Sequence, residues 1–399
     1  MSHIPDLNSD VPDCVLRECP TSSLVVLSLV SSNIHALALP HLLHSACLKR
    51  DPKQMLSFLI FIIDNAHNAG RHVRNLVLAG FSFETYVLDP DGELRLISRE
   101  IGEDLISLWA PAFARALAFM PNILFLSFPD KVEEIASHSS DFAAALLSLP
   151  RLQSLYLAGV GHVASNQIGR LVDLNAGISS LQVINIVPQE DEQLKLTRGE
   201  GMGKVLFSTR SHLTQIGLMQ CDLHDFLGEK TSNHGSHKPT FPKVLKLSLD
   251  SCDTYLEDIA IAFPALHTLD LGFSPFLCDP INAPVRTFVS FPSLVSIRGR
   301  RWDVYSVLKC NNDRDRVRRL GFTHPWRDDS VKMSTFAVPE AAPFLMSFSS
   351  ALDSVQPLPW WQAFSQSVPH LVYLCVSLRV RTTEELDLLV RFVFQSGCC

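Results

Sequence analysis

The sequence lacks the short motifs that mark common catalytic and nucleotide-binding sites. Across its 399 residues there is no GxGxxG following a predicted strand, no Walker loop, no HExxH and no GxSxG. His41 and His44 stand three residues apart, but no third metal ligand lies near them in the sequence. We therefore predict a protein that is not an enzyme and that holds no cofactor and no metal.

The sequence also lacks paired cysteines and a long apolar run, and its first residues do not predict a secretory leader. Its 10 cysteines are scattered without a CxxC pair, which is typical of reduced core residues. The first residues include Asp6, Asp10 and Asp13 instead of a basic segment followed by an apolar one. The longest apolar run, 55–63, has about half the length of a membrane span and predicts a buried helix at 53–64. We expect an intracellular protein, cytoplasmic or nuclear, that has no membrane contact.

Basic charge is scarce, since 34 Lys and Arg face 41 Asp and Glu, giving a net charge of −7. A protein that binds a nucleic acid duplex normally shows a basic face, so this balance argues against nucleic acid as a partner. Charged residues make up 19% of the chain and hydrophobic residues 47%, which is typical of a folded protein with a large core.

One short pattern recurs along the chain: an apolar residue and often a proline, followed by L-x-x-L-x-L or a close variant. The good copies lie at 120–128, 149–157, 178–186, 210–218, 241–249, 263–271 and 291–299. Looser copies lie at 72–78, 315–322 and 368–376. Successive copies are about 22 to 32 residues apart, a spacing typical of leucine-rich repeats.

The last two leucines of each copy alternate, which predicts a short strand with both leucines on one side. Helical patterns lie between the copies, for example at 141–149 and at 103–119, where Pro111 predicts a kink or a break. Strand, turn and helix in repetition predict an α/β fold. We expect a leucine-rich-repeat solenoid over 50–399, in which short parallel strands alternate with helices.

Polar side chains between the leucines should point outward, onto the concave face that repeat proteins use for binding. This set is mixed in charge and holds no catalytic pair, which favours recognition of a target protein that the sequence does not identify. The candidates for this contact are Tyr156, Asn185, Gln215, Lys246, Asp250, Asp270 and Arg298.

Three segments interrupt the repeats. A DPDG turn at 89–92 predicts a hairpin, and the polar segment 228–240 predicts an exposed loop. Residues 323–360 hold many prolines and no clear copy, so we expect the array to stop there and to resume at Val368.

The opening of the chain, 5–46, predicts a small all-α module in front of the solenoid. Helices are expected near 10–19, 21–30 and 31–38, with Pro20 separating the first two and Pro40 ending the third. About forty residues in three short helices rarely form a stable core alone, so this module should complete its core against a partner.

This segment resembles an F-box, in the variant that precedes irregular leucine-rich repeats in fungal proteins. The first part of the match rests on Leu7, Asp10, Val11, Val15, Leu16 and Pro20, and the second on Leu24, Leu27, Ser28, Val30 and Ser31. The resemblance implies that the helices bind the adaptor of an SCF ubiquitin ligase and that the repeats hold its substrate. The residues implied in the adaptor contact are Leu7, Val11, Val15, Leu16, Pro20, Leu24 and Leu27.

The segment departs from the family pattern: Asn8 stands where the family has a proline, and Pro12 and Cys19 where it has leucines. Ser32 and Asn33 also occupy a stretch where the family has basic residues. A second interpretation therefore stays open, a non-catalytic scaffold or interaction protein whose first helices only cap the solenoid. An F-box module should leave the apolar surface of 7–30 exposed and facing away from the repeats. A cap should bury that surface against the helix at 53–64.

Overall fold

The structure is a computed structural model. It describes residues 10–49, 52–79, 85–88, 94–98, 100–128, 132–171, 183–188, 193–228, 238–272, 288–323, 341–352 and 358–378. The chain divides into two compact units, Met1–His212 and Leu213–Cys399. Both units are mixed α/β, with strands that pair in parallel. No helix in the described ranges is long and apolar enough to cross a membrane.

The helices are numbered in chain order through both units. Those of the first unit are α1 Asp10–Glu18, α2 Thr21–Ser28, α3 Ser32–His44, α4 Pro52–Asp64, α5 Glu100–Ala118, α6 Val132–His138, α7 Asp141–Leu147, α8 His162–Leu171 and α9 Gly201–Thr209. Those of the second unit are α10 His224–Leu227, α11 Leu256–Ala262, α12 Arg301–Cys310 and α13 Leu358–Ser367. Short 3-10 turns lie at Gly70–His72 and Arg314–Arg316.

The strands are numbered in the same way. Those of the first unit are β1 Ser45–Lys49, β2 Asn75–Ala79, β3 Thr85–Leu88, β4 Leu94–Ser98, β5 Phe125–Phe128, β6 Ser154–Val160, β7 Val183–Pro188 and β8 Leu194–Lys195. Those of the second unit are β9 Gln215–Met219, β10 Cys221–Asp222, β11 Lys246–Asp250, β12 Thr268–Leu271, β13 Ser296–Gly299, β14 Arg319–Phe322, β15 Ser347–Leu352 and β16 Tyr373–Leu378.

The chain opens with the three short helices that the sequence predicts, but the third is longer than expected. α3 runs through Pro40 and ends at His44, so the prediction that Pro40 ends this helix is wrong. Proline removes one backbone N–H donor from a helix. Ala38 and Leu43 are buried on either side of it, and their packing holds the helix together across that gap.

In the first unit the sheet order is β1-β2-β5-β6-β7, and all these pairs are parallel. The repeat leucines stand opposite one another across the strands. One such row consists of Ala46, Leu76, Leu126, Leu155 and Ile184. Sequence reasoning missed β1, which begins inside the module predicted to extend to residue 46 and pairs with β2.

In the second unit the sheet order is β9-β11-β12-β13-β14-β15-β16, again parallel. Its row of apolar partners consists of Ile216, Leu247, Leu269, Ile297, Leu320, Phe348 and Leu374. The expectation that the array stops over 323–360 is wrong, because β15 pairs with both β14 and β16. Phe348 takes the place of the repeat leucine there.

A ladder of backbone hydrogen bonds holds neighbouring copies together just before each strand of the second unit. One N–H of each copy donates to a carbonyl of the preceding copy, at 2.8 to 2.9 Å. The donors are Leu245, His267, Val295, Arg318, Met346 and Val372. Every donor follows the first apolar residue of its copy, so the same sequence position repeats the same contact.

Three other predictions can be compared with the structure of the first unit. The helix predicted at 53–64 is confirmed as α4, with Met55, Leu59 and Ile62 buried on one face. α5 is one continuous helix with Pro111 inside it, so of the predicted kink or break the break does not occur. β3 and β4 pair antiparallel, as a hairpin requires, while the DPDG turn between them and the loop at 229–237 lie outside the described residues.

Candidate functional site

The first three helices leave several large aliphatic side chains exposed, which we call the apolar patch. Their side chains are between 47% and 81% exposed. They are Val15, Val25, Val26, Leu29, Val30 and Leu37. Single exposed aliphatic residues are ordinary, but a group of six within 23 consecutive positions is typical of an interaction surface.

The opposite side of the same helices is packed. Leu16 and Leu24 are only 7% and 5% exposed, and Ala38 and Leu43 of α3 are buried as well. α2 has the sequence TSSLVVLS, in which apolar residues face all sides of the helix, so one inward face leaves the others in contact with solvent. The side chain of Ser31 fixes the start of α3 by accepting a hydrogen bond from the N–H of Ile34 at 3.2 Å.

The predicted adaptor residues therefore include both exposed and buried side chains. Val15 and Pro20 are exposed and Leu27 is half-buried, whereas Leu16 and Leu24 are buried. Leu7 and the side chain of Val11 lie outside the described part of the chain. The five patch residues beyond Val15 were not among the predicted contacts, although the largely apolar run VVLSLV, 25–30, was a usable signal for four of them.

On the sheets, the predicted outward residues stand in register on neighbouring strands. In the first unit Tyr156 lies opposite Asn185, and burial raises the pKa of the Tyr156 hydroxyl. In the second unit Gln215 lies opposite Lys246, and Asp270 lies opposite Arg298.

The charges on this face of the second unit are of both signs and close together. Lys246 and Arg298 are exposed, while Asp250 and Asp270 are half-buried. Asp270 and Arg298 lie directly opposite each other on adjacent strands, so this face presents an acidic and a basic group side by side. Next to them Gly321 leaves room for the Arg298 chain, since a Cβ there would lie 3.1 Å from its Cγ. A small, open and mixed-charge face of this kind suits a protein surface better than a small ligand.

One turn has the glycine spacing of a nucleotide-binding loop. Residues 159–164, GVGHVA, lie between β6 and α8. The backbone N–H groups at the start of α8 are already occupied, because three of them donate to the Glu133 carboxylate at 2.8 to 3.0 Å. Those donors belong to Gly161, Val163 and Ala164. A phosphate would compete with this carboxylate for the same donors, so the turn acts as a helix cap.

No group of three or more His, Cys, Asp or Glu side chains that could hold a metal occurs in the described ranges. His41, one of the two histidines considered from the sequence, has its Nε2 3.0 Å from a carboxylate oxygen of Asp13. That carboxylate also accepts a hydrogen bond from Arg17 at 2.9 Å.

Comparison with known proteins identifies no family. No protein family model and no curated protein matches the chain. Among solved structures, the chain is similar to the one described as the crystal structure of the Rad7 and Elc1 complex in yeast. The sequence identity is 11%, the alignment covers 95% of this chain and 96% of that chain, and the TM-score is 0.39, too low to bear on function.

Proposed function

We propose that the protein is a non-catalytic substrate receptor of an SCF-type ubiquitin ligase. In this proposal the F-box-like helices bind the SCF adaptor, and a leucine-rich-repeat solenoid holds a target protein. The observation that carries the proposal is the apolar patch on helices whose other side is packed. Burying such a patch against a partner contributes about 25 cal/mol for each Å² removed from water.

The target would bind the outward face of the strands. The register of β12 and β13 places Asp270 beside Arg298, while Lys246 on β11 lies opposite Thr268, two positions before Asp270. Alternating charges on a rigid surface favour one partner orientation over others, because wrong orientations bring like charges together.

The test is co-purification of the whole chain with the SCF adaptor. We expect a stable complex, and we expect it to be lost when Val26→Asp and Leu29→Asp place two carboxylates in the apolar patch. Both side chains are exposed, so the variant should fold and show the circular dichroism of the natural chain. Leu108→Asp is the matched control, because Leu108 is an exposed leucine on α5, outside the patch.

A second candidate function is a scaffold protein whose first helices cap the repeats. The burial of Leu16 and Leu24 favours it, as does the packing of α3 against β1 at the edge of the first unit's sheet. If the whole chain forms no complex with the adaptor, and Leu16→Asp unfolds it, the helices serve the fold and the ubiquitin ligase proposal is wrong.

A further inference from the structure

A cleft of about 590 Å³ lies in the first unit beside the F-box-like helices. One wall comes from α1, the start of α2 and the end of α3, and the other from the segment 71–74 that leads into β2. Its volume is in the range of sites that hold small ligands. The lining includes six basic or imidazole side chains, Arg17, His41, His44, Arg71, His72 and Arg74.

The positive charge of this cleft is only partly compensated. Asp13 pairs with Arg17 at 2.9 Å and with His41 at 3.0 Å. Among the described residues, neither Arg71 nor Arg74 has a carboxylate within ion-pairing distance. Two arginines of the cleft lining therefore carry a charge that no carboxylate of the described residues pairs with.

The charges of Arg71 and Arg74 both act on the imidazole ring of His72. The Nε of Arg71 donates to the Nε2 of His72 at 3.3 Å, which requires a neutral imidazole ring. Burial holds the pKa of His72 below its usual value, and the charges of Arg71 and Arg74 lower it further. Besides burial, the two cations that an anion would neutralise thus disfavour protonation of the imidazole.

The backbone that carries these side chains is fixed before any ligand arrives. The side-chain amide of Asn122 donates to the carbonyl of Arg71 at 2.7 Å. The N–H of Arg74 donates to the carbonyl of His44 at 3.1 Å, and the Arg74 carbonyl accepts from Leu124 at 2.7 Å. A backbone held in place in this way loses little conformational freedom on binding, so only the arginine side chains have to be ordered.

We propose that this cleft binds a small phosphorylated molecule, with Arg71 and Arg74 donating hydrogen bonds to its phosphate oxygens. The planar guanidinium group pairs two N–H donors with two phosphate oxygens, which makes arginine the preferred partner of this anion. Leu16, Leu24 and Pro40 in the same lining provide an apolar surface for the rest of the molecule. This inference does not depend on the proposed ligase function.

The first experiment is isothermal titration of the full chain with inorganic tripolyphosphate as the probe. We expect one site, and we expect Arg71→Ala with Arg74→Ala to weaken binding about a hundredfold, roughly tenfold for each lost charge-assisted pair. Arg151→Ala removes an exposed arginine elsewhere in the same unit and should change the affinity less than twofold. Citrate, a carboxylate of similar charge, should bind at least tenfold more weakly.

Two results would overturn the proposal. One is tripolyphosphate binding that is absent in the natural chain, or equally strong in the double arginine variant. The other is citrate binding as tight as that of tripolyphosphate, since the site would then select charge alone and not phosphate.

Proton uptake provides an independent readout. A phosphate beside His72 would raise the pKa of its imidazole, so binding should take up protons and strengthen as the pH falls. The number of protons taken up is obtained by comparing the binding heats in two buffers with different ionisation enthalpies. The other basic and imidazole groups lining the cleft are Arg17, His41, His44, Arg71 and Arg74, and the Asp13 carboxylate contacts Arg17 and His41. His72→Gln should reduce the uptake, and unchanged uptake in that variant would contradict this placement of the phosphate.

Discussion

Asp303 is a carboxyl group whose ionisation the fold opposes. It lies on α12, and burial raises its pKa to about 7, although the charge of Arg300 acts in the opposite direction. In the unfolded chain an aspartate titrates near pH 4. Between about pH 4 and pH 7 the folded state therefore binds more protons than the unfolded state, so the free energy of unfolding falls as the pH rises through this window.

Asp303→Asn should stabilise the protein at high pH and have little effect at low pH. The amide carries no charge to desolvate, so we expect Tm to rise at pH 8 by an amount equivalent to on the order of 1 kcal/mol. This is far less than the full pKa shift implies, because the carboxyl is partly open to solvent. Thermal unfolding at pH 4.5 and pH 8 measures the difference. The exposed Asp315→Asn is the control, and an equal gain for both variants, or a gain at pH 4.5, would contradict the role of Asp303.

Glu133 shows why some contacts cannot be predicted from the sequence. Its three N–H donors at the start of α8 are 28 to 31 residues away along the chain. A capping residue next to its own helix has a recognisable pattern, but this one reaches its helix only because neighbouring repeats stack. The pairing of Arg71 with His72 in the cleft likewise depends on burial that the sequence does not reveal.

The strands were predictable where a leucine pattern repeats at a fixed spacing. Side chains alternate along a strand, so each L-x-L predicts both the strand and the face that is buried, and therefore the register of its neighbours. The sequence did not predict β1, because SACLK has only Ala46 and Leu48 as an alternating pair and needs β2 to become a strand. β15 was not predicted because Phe348 replaces the leucine of the repeat. The predicted third helix was too short because Pro40 was expected to end it, whereas packing continues the helix to His44.

A pair of adjacent residues on β12 tests the alternation of buried and outward positions. Leu269 is fully buried in the row between Leu247 and Ile297, whereas Asp270 points to the outward face. Leu269→Ala should lower the free energy of unfolding by about 2 to 5 kcal/mol, because it leaves a cavity in a packed core. Asp270→Ala should change it by less than about 1 kcal/mol. Urea unfolding compares the two, and similar losses for both would contradict the assignment of the faces.

Over the whole molecule, two surfaces of opposite character provide different means of association. The apolar patch on the first helices carries aliphatic groups, while the outward face of β11, β12 and β13 carries charges of both signs. The net charge of −7 opposes self-association only weakly at physiological ionic strength, where the Debye length is about 8 Å. An apolar surface that has no partner tends to find a second copy of the same surface.

We therefore expect the isolated chain to associate with itself as its concentration rises, through the apolar patch. Sedimentation velocity over a range of concentrations should show a rising mean sedimentation coefficient. Val26→Asp with Leu29→Asp should abolish the rise, whereas Leu108→Asp should leave it unchanged. Raising the salt concentration distinguishes the two surfaces, because salt screens contacts between charges and does not weaken apolar burial. Association that high salt removes, or that persists in the double variant, would assign self-contact to the charged sheet face.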